Sequence, residues 1–329
     1  MASAAKKTTQ FSSTISSQLK RLLIGQDEVV DTIVPYVQLY KSGLSPEGRP
    51  VGVFFLAGPT GTGKTYTVQT LAKIIHGNPK NVLRIDCGEF QLEHEVAKLV
   101  GAPPGYLGHR ETTPLINQNK LNAVTSERSS LSIVLFDEIE KAAVSLQRIL
   151  LGIFDQASLK LCDNTTVNFE RSLIFMTSNI GADEMQKKIR GAYGFNKSSD
   201  ESIMNCCHAA IRKNFSPEFI NRIDHTISYK PLNRKDTEKI LDLEFDNLQT
   251  HLRSRLGPLA FNISLDASAK NTILKLGTSP EYGARELKRI IHRDILQQIS
   301  NKLVDTGIPP ASTVKVKAKA ETVYLEVDN

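Results

Sequence analysis

Cysteine pairs, long apolar runs and surplus charge of either sign are all scarce in this chain, and each scarcity removes a class of protein. Its 329 residues hold four cysteines, Cys87, Cys162, Cys206 and Cys207. None forms a C-x-x-C pair and two are adjacent, which suits neither a zinc site nor a disulfide framework. A reducing, cytoplasmic-type compartment is expected, with an organellar matrix as the alternative. No apolar stretch approaches the ~18 residues that a bilayer span requires. No apolar segment follows the N-terminal lysines either, so neither membrane insertion nor a secretory leader is expected. The formal net charge is +6, but Lys6, Lys7, Lys20 and Arg21 supply four positive charges before the first acidic residue, Asp27. The remaining body is near balance, so no nucleic-acid partner is expected. No internal repeat is present.

Hydrophobic residues make up 40% of the chain, enough for one large or two ordinary domains. Five short apolar runs mark the first two-thirds: Val51 to Ala57, Val82 to Ile85, Ile133 to Phe136, Leu173 to Met176 and Thr226 to Tyr229. They are β-branched or aromatic and separated by helix-sized stretches, which predicts buried parallel strands in a doubly wound α/β sheet with flanking helices. Ligands of such sheets sit beyond the carboxyl ends of the strands. After Pro231 the period becomes helical, with Ile240, Leu241, Leu248 and Leu252 on one face and Leu287, Ile290, Ile291, Ile295 and Ile299 on another. Strict alternation in Val314 to Ala318 and Val323 to Val327 predicts two half-exposed strands at the end. Residues 1–23, Ser/Thr-rich, basic and free of acid, read as a flexible tail, with a transit peptide as the alternative. The expected division is thus a tail over 1–23, an α/β unit over 24–230 and a small helical unit with C-terminal strands over 231–329.

The first run leads directly into Gly58-Pro59-Thr60-Gly61-Thr62-Gly63-Lys64-Thr65, and a helical segment follows. A glycine-rich turn between strand and helix aims backbone N–H groups at phosphates, and the positive end of the helix adds to the attraction. Lys64 would reach the β- and γ-phosphates, and the Thr65 hydroxyl would meet Mg²⁺. The guanine-selecting Asn-Lys-x-Asp is missing, as is the Leu-Ser-Gly-Gly of transport ATPases, so the expected nucleotide is ATP.

Residues at the other strand ends extend this reading. Asp137 and Glu138 close the third run; one carboxylate can hold Mg²⁺ through its water shell while the next deprotonates the attacking water. Acidic residues there also serve as helix caps. The fourth run ends in Met176-Thr177-Ser178-Asn179, which makes Asn179 a candidate for positioning that water, or simply the start of a turn before Gly181. Two arginines could answer charge developing on the γ-phosphate: Arg222, just before the fifth run, and Arg285, which opens a later helix or pairs with Glu281.

Taken in order, these residues resemble the AAA+ ATPase module of Clp-type protein unfoldases, specifically the second ring of the ClpA, ClpB and ClpC group. The likeness runs from Ile24-Gly25-Gln26-Asp27-Glu28 to the C-terminal strands. It is carried by Val100-Gly101-Ala102-Pro103-Pro104-Gly105-Tyr106-Leu107-Gly108, Phe136-Asp137-Glu138-Ile139-Glu140-Lys141-Ala142, Pro217-Glu218-Phe219-Ile220-Asn221-Arg222-Ile223-Asp224 and Tyr282-Gly283-Ala284-Arg285. The resemblance implies that Ile24, Gly25 and Gln26 line the adenine pocket, Asn179 is sensor 1, Arg222 is the arginine finger acting in a neighbouring subunit, and Arg285 is sensor 2. It further implies a homo-hexameric ring or spiral whose loop Gly105-Tyr106-Leu107-Gly108 grips a substrate polypeptide in the pore. Tyr106 as a turn residue packed on the body is the alternative.

The chain also departs from the pattern it resembles. His109-Arg110-Glu111-Thr112-Thr113-Pro114 replaces acidic and Gly-Gly residues after the pore tyrosine, and Asp155 to Cys162 replaces an Asp/Gly-rich second loop. These changes motivate a second reading, a nucleotide-regulated assembly or scaffold with little threading. Tyr193-Gly194-Phe195 stands where relatives dock a ClpP-like protease, with tyrosine in place of an aliphatic residue. The resemblance leaves the chain as either a piece of a two-ring protein or a single-ring machine.

Overall fold

The computed structural model describes residues 14–101, 114–182, 185, 200–277, 283–320 and 322–328. The chain divides into two compact units, Met1–Pro59 with Gly63–Lys230, and Thr60–Thr62 with Pro231–Asn329.

The first unit is built on five parallel strands: β1 (Gly52–Ala57), β2 (Leu83–Asp86), β3 (Ser132–Asp137), β6 (Ser172–Ser178) and β7 (His225–Ser228). Their order in the sheet is β2-β3-β6-β1-β7, so β6 lies between β1 and β3. Every residue of β1, β3 and β6 is buried, as unbroken apolar runs require when helices cover both faces. Alternate residues enter two separate cores. Val53, Phe55, Val134, Phe136, Ile174 and Met176 pack toward the helix Val144–Gln156, whereas Phe54, Leu56, Ile133, Leu135, Leu173 and Phe175 pack toward the helices Asp27–Lys41 and Lys64–His76. Phe54 and Phe175 stack at 5.2 Å, and Tyr36 meets Phe54 edge-on at 5.0 Å. A short hairpin, β4 (Ser158–Lys160) with β5 (Thr166–Asn168), precedes β6.

One expectation needs correcting. Residues 14–22 are helical rather than part of a loose tail, and Ile15, Leu19 and Leu23 are buried in the second of those cores. The four-residue spacing puts the three side chains on one helix face, and burying each is worth about 1.5–3 kcal/mol, enough to order a segment whose composition looks tail-like.

In the second unit the long helix Arg234–Leu256 opens with a reciprocal cap in which Asn233 accepts from the Asp236 N–H while the Asp236 carboxylate accepts from Asn233. Leu241, Phe245, Leu248 and Leu252 line its buried face. They meet Leu287, Ile290, Ile291, Ile295 and Ile299 from the later helical stretch, in which the π-type segment Ile291–Leu296 follows Ala284–Ile290. The unit ends in β9 (Thr313–Lys319) and β10 (Thr322–Asp328), paired antiparallel. A strand that periodicity did not reveal, β8 (Asn262–Leu265), pairs parallel to β9 and completes a sheet of order β10-β9-β8.

Candidate functional site: the carboxyl ends of β1, β3 and β6

The glycine-rich loop leaves β1 where no side chain could. Gly58 has φ +139°, and a Cβ there would lie 2.9 Å from the Tyr229 carbonyl oxygen. Gly61 and Gly63 also take positive φ, 75° and 105°. The helix Lys64–His76 then begins without a side-chain cap at Gly63, which keeps the site beside its first N–H groups clear of a competing side-chain acceptor. Tyr229, wholly buried, fixes the underside by donating its hydroxyl to Thr67 Oγ1 at 2.7 Å.

Lys64 is buried, and its Nζ donates to the carbonyl oxygens of Gly58 at 2.6 Å and Pro59 at 2.8 Å and to Asn179 Oδ1 at 3.0 Å. Burial lowers its pKa to about 8, against the opposing pull of Glu140 first and Asp137 next. An ammonium so poorly hydrated is poised for a polyanion.

Asp137 ends β3 with its carboxylate buried. Its Oδ1 accepts from the hydroxyls of Thr177 and, at 3.3 Å, Thr65, and its Oδ2 pairs with Arg84 at 2.6 Å. Glu138 follows in a left-handed conformation, φ 57°, ψ 50°, which costs a residue other than glycine about 1–2 kcal/mol. Its N–H donates to Thr177 Oγ1 at 3.1 Å, so one threonine on β6 orients both acids. The Glu138 carboxylate is partly exposed and paired with Lys141 at 2.5 Å. Asn179, one residue past β6, has its N–H held by Glu140 Oε1 at 3.0 Å.

Lys64, Thr65, Asp137, Glu138 and Asn179 therefore converge at neighbouring strand ends. Gln26 is buried nearby in sequence to a turn at Gly25; it bonds Lys230 in both directions, Nε2 to the carbonyl at 2.9 Å and Oε1 from the N–H at 3.3 Å. Ile24 is half-buried. Arg222 is separate from this cluster, partly exposed and paired with Asp155 of the helix Val144–Gln156. Arg285 lies in the helix Ala284–Ile290 of the second unit. The segments Gly105-Tyr106-Leu107-Gly108 and Tyr193-Gly194-Phe195 lie outside the described residues.

Sequence reasoning missed Thr177, Arg84, Glu140 and Asp155. Arg84 carried a usable signal, as a polar residue within an otherwise apolar run, whereas Thr177 stands one residue past its run. Glu140 and Asp155 are drawn in by contacts with partners 39 and 67 residues away. Among the described residues no group of three or more His, Cys, Asp or Glu is placed to hold a metal ion, and no helix is long and apolar enough to cross a membrane.

This fold and this loop define a nucleotide-binding module of the AAA type. The profile described as AAA domain (Cdc48 subfamily) matches residues 49–226, and that of the C-terminal, D2-small domain of ClpB protein matches residues 232–316. Chaperone protein ClpB of Wolinella succinogenes is 33% identical over 313 residues, covering 95% of this chain and 34% of that protein. A probable chaperone protein ClpB 1 of Chlorobaculum tepidum is 33% identical over 316 residues, covering 95% of this chain and 69% of that protein. A closed-state cryo-EM structure of Hsp104 with ATPγS and FITC casein aligns with a TM-score of 0.81 at 27% identity, over 99% of this chain and 52% of that one. The chain belongs to the ClpB family of Clp-type AAA+ ATPases and carries its second-ring module with the D2-small domain. It spans about a third of the length of several ClpB relatives it matches.

Proposed function

We propose that this protein hydrolyses ATP at interfaces between subunits of a ring or spiral and uses that work to pull on a polypeptide. The observation that carries the reading is the convergence of Lys64, Asp137, Glu138 and Asn179 at the ends of β1, β3 and β6 in a chain of this family. The Hsp104 structure, determined with ATPγS and casein, supports a polypeptide as substrate.

The donor set fits a nucleotide with Mg²⁺. Gly58 to Gly63 and the uncapped helix start would hold the phosphates, with Ile24, Gly25 and Gln26 toward the adenine. Lys64, now on carbonyl oxygens, would exchange them for phosphate oxygens. Both oxygens of Asp137 already accept hydrogen bonds or an ion pair, which favours holding the metal through water together with the Thr65 hydroxyl. Bound there, Mg²⁺ would neutralise charge on the β- and γ-phosphates. Glu138, the more accessible carboxylate, would take the proton of the attacking water, and Asn179 would orient that water. Arg222 would complete the site of a neighbouring subunit, and Arg285 would respond to the γ-phosphate. Tyr106 would grip the substrate, since an aromatic between glycines packs against many side chains without sequence demands.

Two measurements test this. Unfolded casein should stimulate ATP turnover, and Tyr106→Ala should abolish the stimulation while basal turnover persists; a nucleotide-regulated scaffold would show no stimulation to lose. Arg222→Ala and Lys64→Ala proteins, each impaired alone, should recover part of their turnover on mixing. If co-assembled hybrids recover none, sites shared between subunits are ruled out.

A further inference from the structure

The run Asp137-Glu138-Ile139-Glu140 contains a second glutamate to which the roles above give nothing. Glu138 turns the chain through its left-handed conformation, and Ile139, fully buried, anchors the tight turn Ile139–Lys141. That turn directs Glu140 across to the end of β6, where its Oε1 accepts the main-chain N–H of Asn179 at 3.0 Å. The same asparagine accepts from Lys64 Nζ through its side-chain oxygen at 3.0 Å. Two hydrogen bonds thus run in series from the Glu140 carboxylate, through Asn179, to the lysine of the phosphate loop.

Glu140 is poorly placed to act on water itself. One oxygen is engaged by the Asn179 N–H, and the other is buried without a hydrogen-bond partner. Glu138 by contrast is 38% exposed at its side chain. Burying an unpartnered carboxylate oxygen is costly, and the opposing charges near Glu140 are Lys141 and Lys64, for the second of which it is the leading source of stabilising charge. A group kept at that cost and bonded to the backbone of Asn179 has a positional consequence: Asn179 lies beyond the last ladder pair of β6 with β1, Ala57 with Ser178, so the sheet does not hold it.

We infer that Glu140 is a positioning residue for ATP hydrolysis, fixing the backbone of Asn179 so that the asparagine amide stays aimed at Lys64. The inference rests on the ATPase reading of this site. Misplacing a catalytic group by about 1 Å can cost ~10²-fold in rate. The effect should fall on turnover rather than on nucleotide affinity, because Glu140 hydrogen-bonds to Asn179 and not to the phosphate loop or to Gln26.

The test measures kcat and the affinity for a fluorescent ATP analogue in Glu140→Ala, Glu140→Gln, Asn179→Ala and the double variant Glu140→Ala/Asn179→Ala. Glu140→Ala should lower kcat ~10–100-fold with affinity within about threefold of the parent. Glu140→Gln, which keeps an acceptor oxygen, should turn over at least about threefold faster than Glu140→Ala. The double variant should be within about twofold of Asn179→Ala, because both changes break one series of bonds. Additive losses, a Glu140→Gln no better than Glu140→Ala, a Glu140→Ala within about threefold of the parent, or a loss of nucleotide affinity would each overturn the assignment. Asn179→Ala turning over at the parent rate would instead overturn the reading of the site itself.

Discussion

The five-stranded and three-stranded sheets of this protein use similar residues under different rules. Along β1, β3 and β6 every position is buried, whereas β10 alternates exposed and buried through its first five residues. With both faces covered, these three strands have no room for chemistry along their length, and Asp137, Thr177, Ser178 and Asn179 gather where β3 and β6 stop. The smaller sheet packs Val314, Val316, Val323 and Leu325 on its helices and turns its other face outward, where Lys315 pairs with Asp328 and Lys317 with Glu326. Full burial on two sides concentrates function at an edge; burial on one side leaves a strand's outer face to solvation and ion pairing.

That contrast can be broken in several places. Changing the edge should alter rate without altering stability: Glu138→Gln is expected to reduce kcat by ~10²–10⁴-fold while nucleotide binding and the urea midpoint hold, since only the water-activating carboxylate is lost. A midpoint that fell together with the rate would mean the strand end is structural. Within the sheet the reverse applies. Phe54→Ala should cost about 3–5 kcal/mol in urea unfolding, because Phe54 is wholly buried between Phe175 and Tyr36. Leu325→Ala, on the one-sided sheet and slightly exposed, should cost nearer 2 kcal/mol; an equal loss would erase the distinction between the sheets.

A subtler effect concerns Lys64. With its pKa lowered to about 8 by burial, the amine is largely neutral at pH 8.5, and phosphates brought against it would raise that pKa again. ATP binding at pH 8.5 should therefore take up roughly half a proton or more, an uptake that fades below pH 7 where the amine is already charged. Titration calorimetry in buffers of different ionisation enthalpy would detect it, and Lys64→Met should remove it. The same lowered pKa makes the nucleotide-free fold gain stability as pH rises from about 8 toward 10.5, because the unfolded chain then holds the proton that Lys64 has released. Smallest of all, Lys317→Ala on the outward face should leave the urea midpoint all but unchanged, as a half-exposed pair in water contributes little.

Much of the fold was legible because burial on both faces demands unbroken apolar runs, as in β1, β3 and β6. The edge strands β2 and β7 also lie on their expected runs to within a residue, but they are only partly buried, contrary to the expectation of five buried strands. The elements that escaped were those whose local signal is weak. The helix over 14–22 hid its Ile15, Leu19 and Leu23 among serines and threonines, and β8 became a strand by pairing with β9 rather than by its own composition. In the site, the phosphate loop and the acids at the end of β3 announced themselves through residue type and position. Thr177 did not, although it bonds both acids, because its partners lie 39 and 40 residues away, at and just past the end of a neighbouring strand.

The sequence by itself determined the loop from Gly58 to Thr65, the full burial of β1, β3 and β6, and the presence of acid and amide at two of their ends. These follow from neighbours along the chain: glycine permits the backbone, and apolar runs have to be buried. Only the tertiary structure decided that β6 inserts between β1 and β3, with Ala57 beside Ser178 and Phe136 beside Met176. That pairing brings Lys64, Asp137, Glu140 and Asn179 within reach of one another. Strand order is set by how crossover helices pack the whole sheet, a global outcome that local propensity along a single strand does not encode.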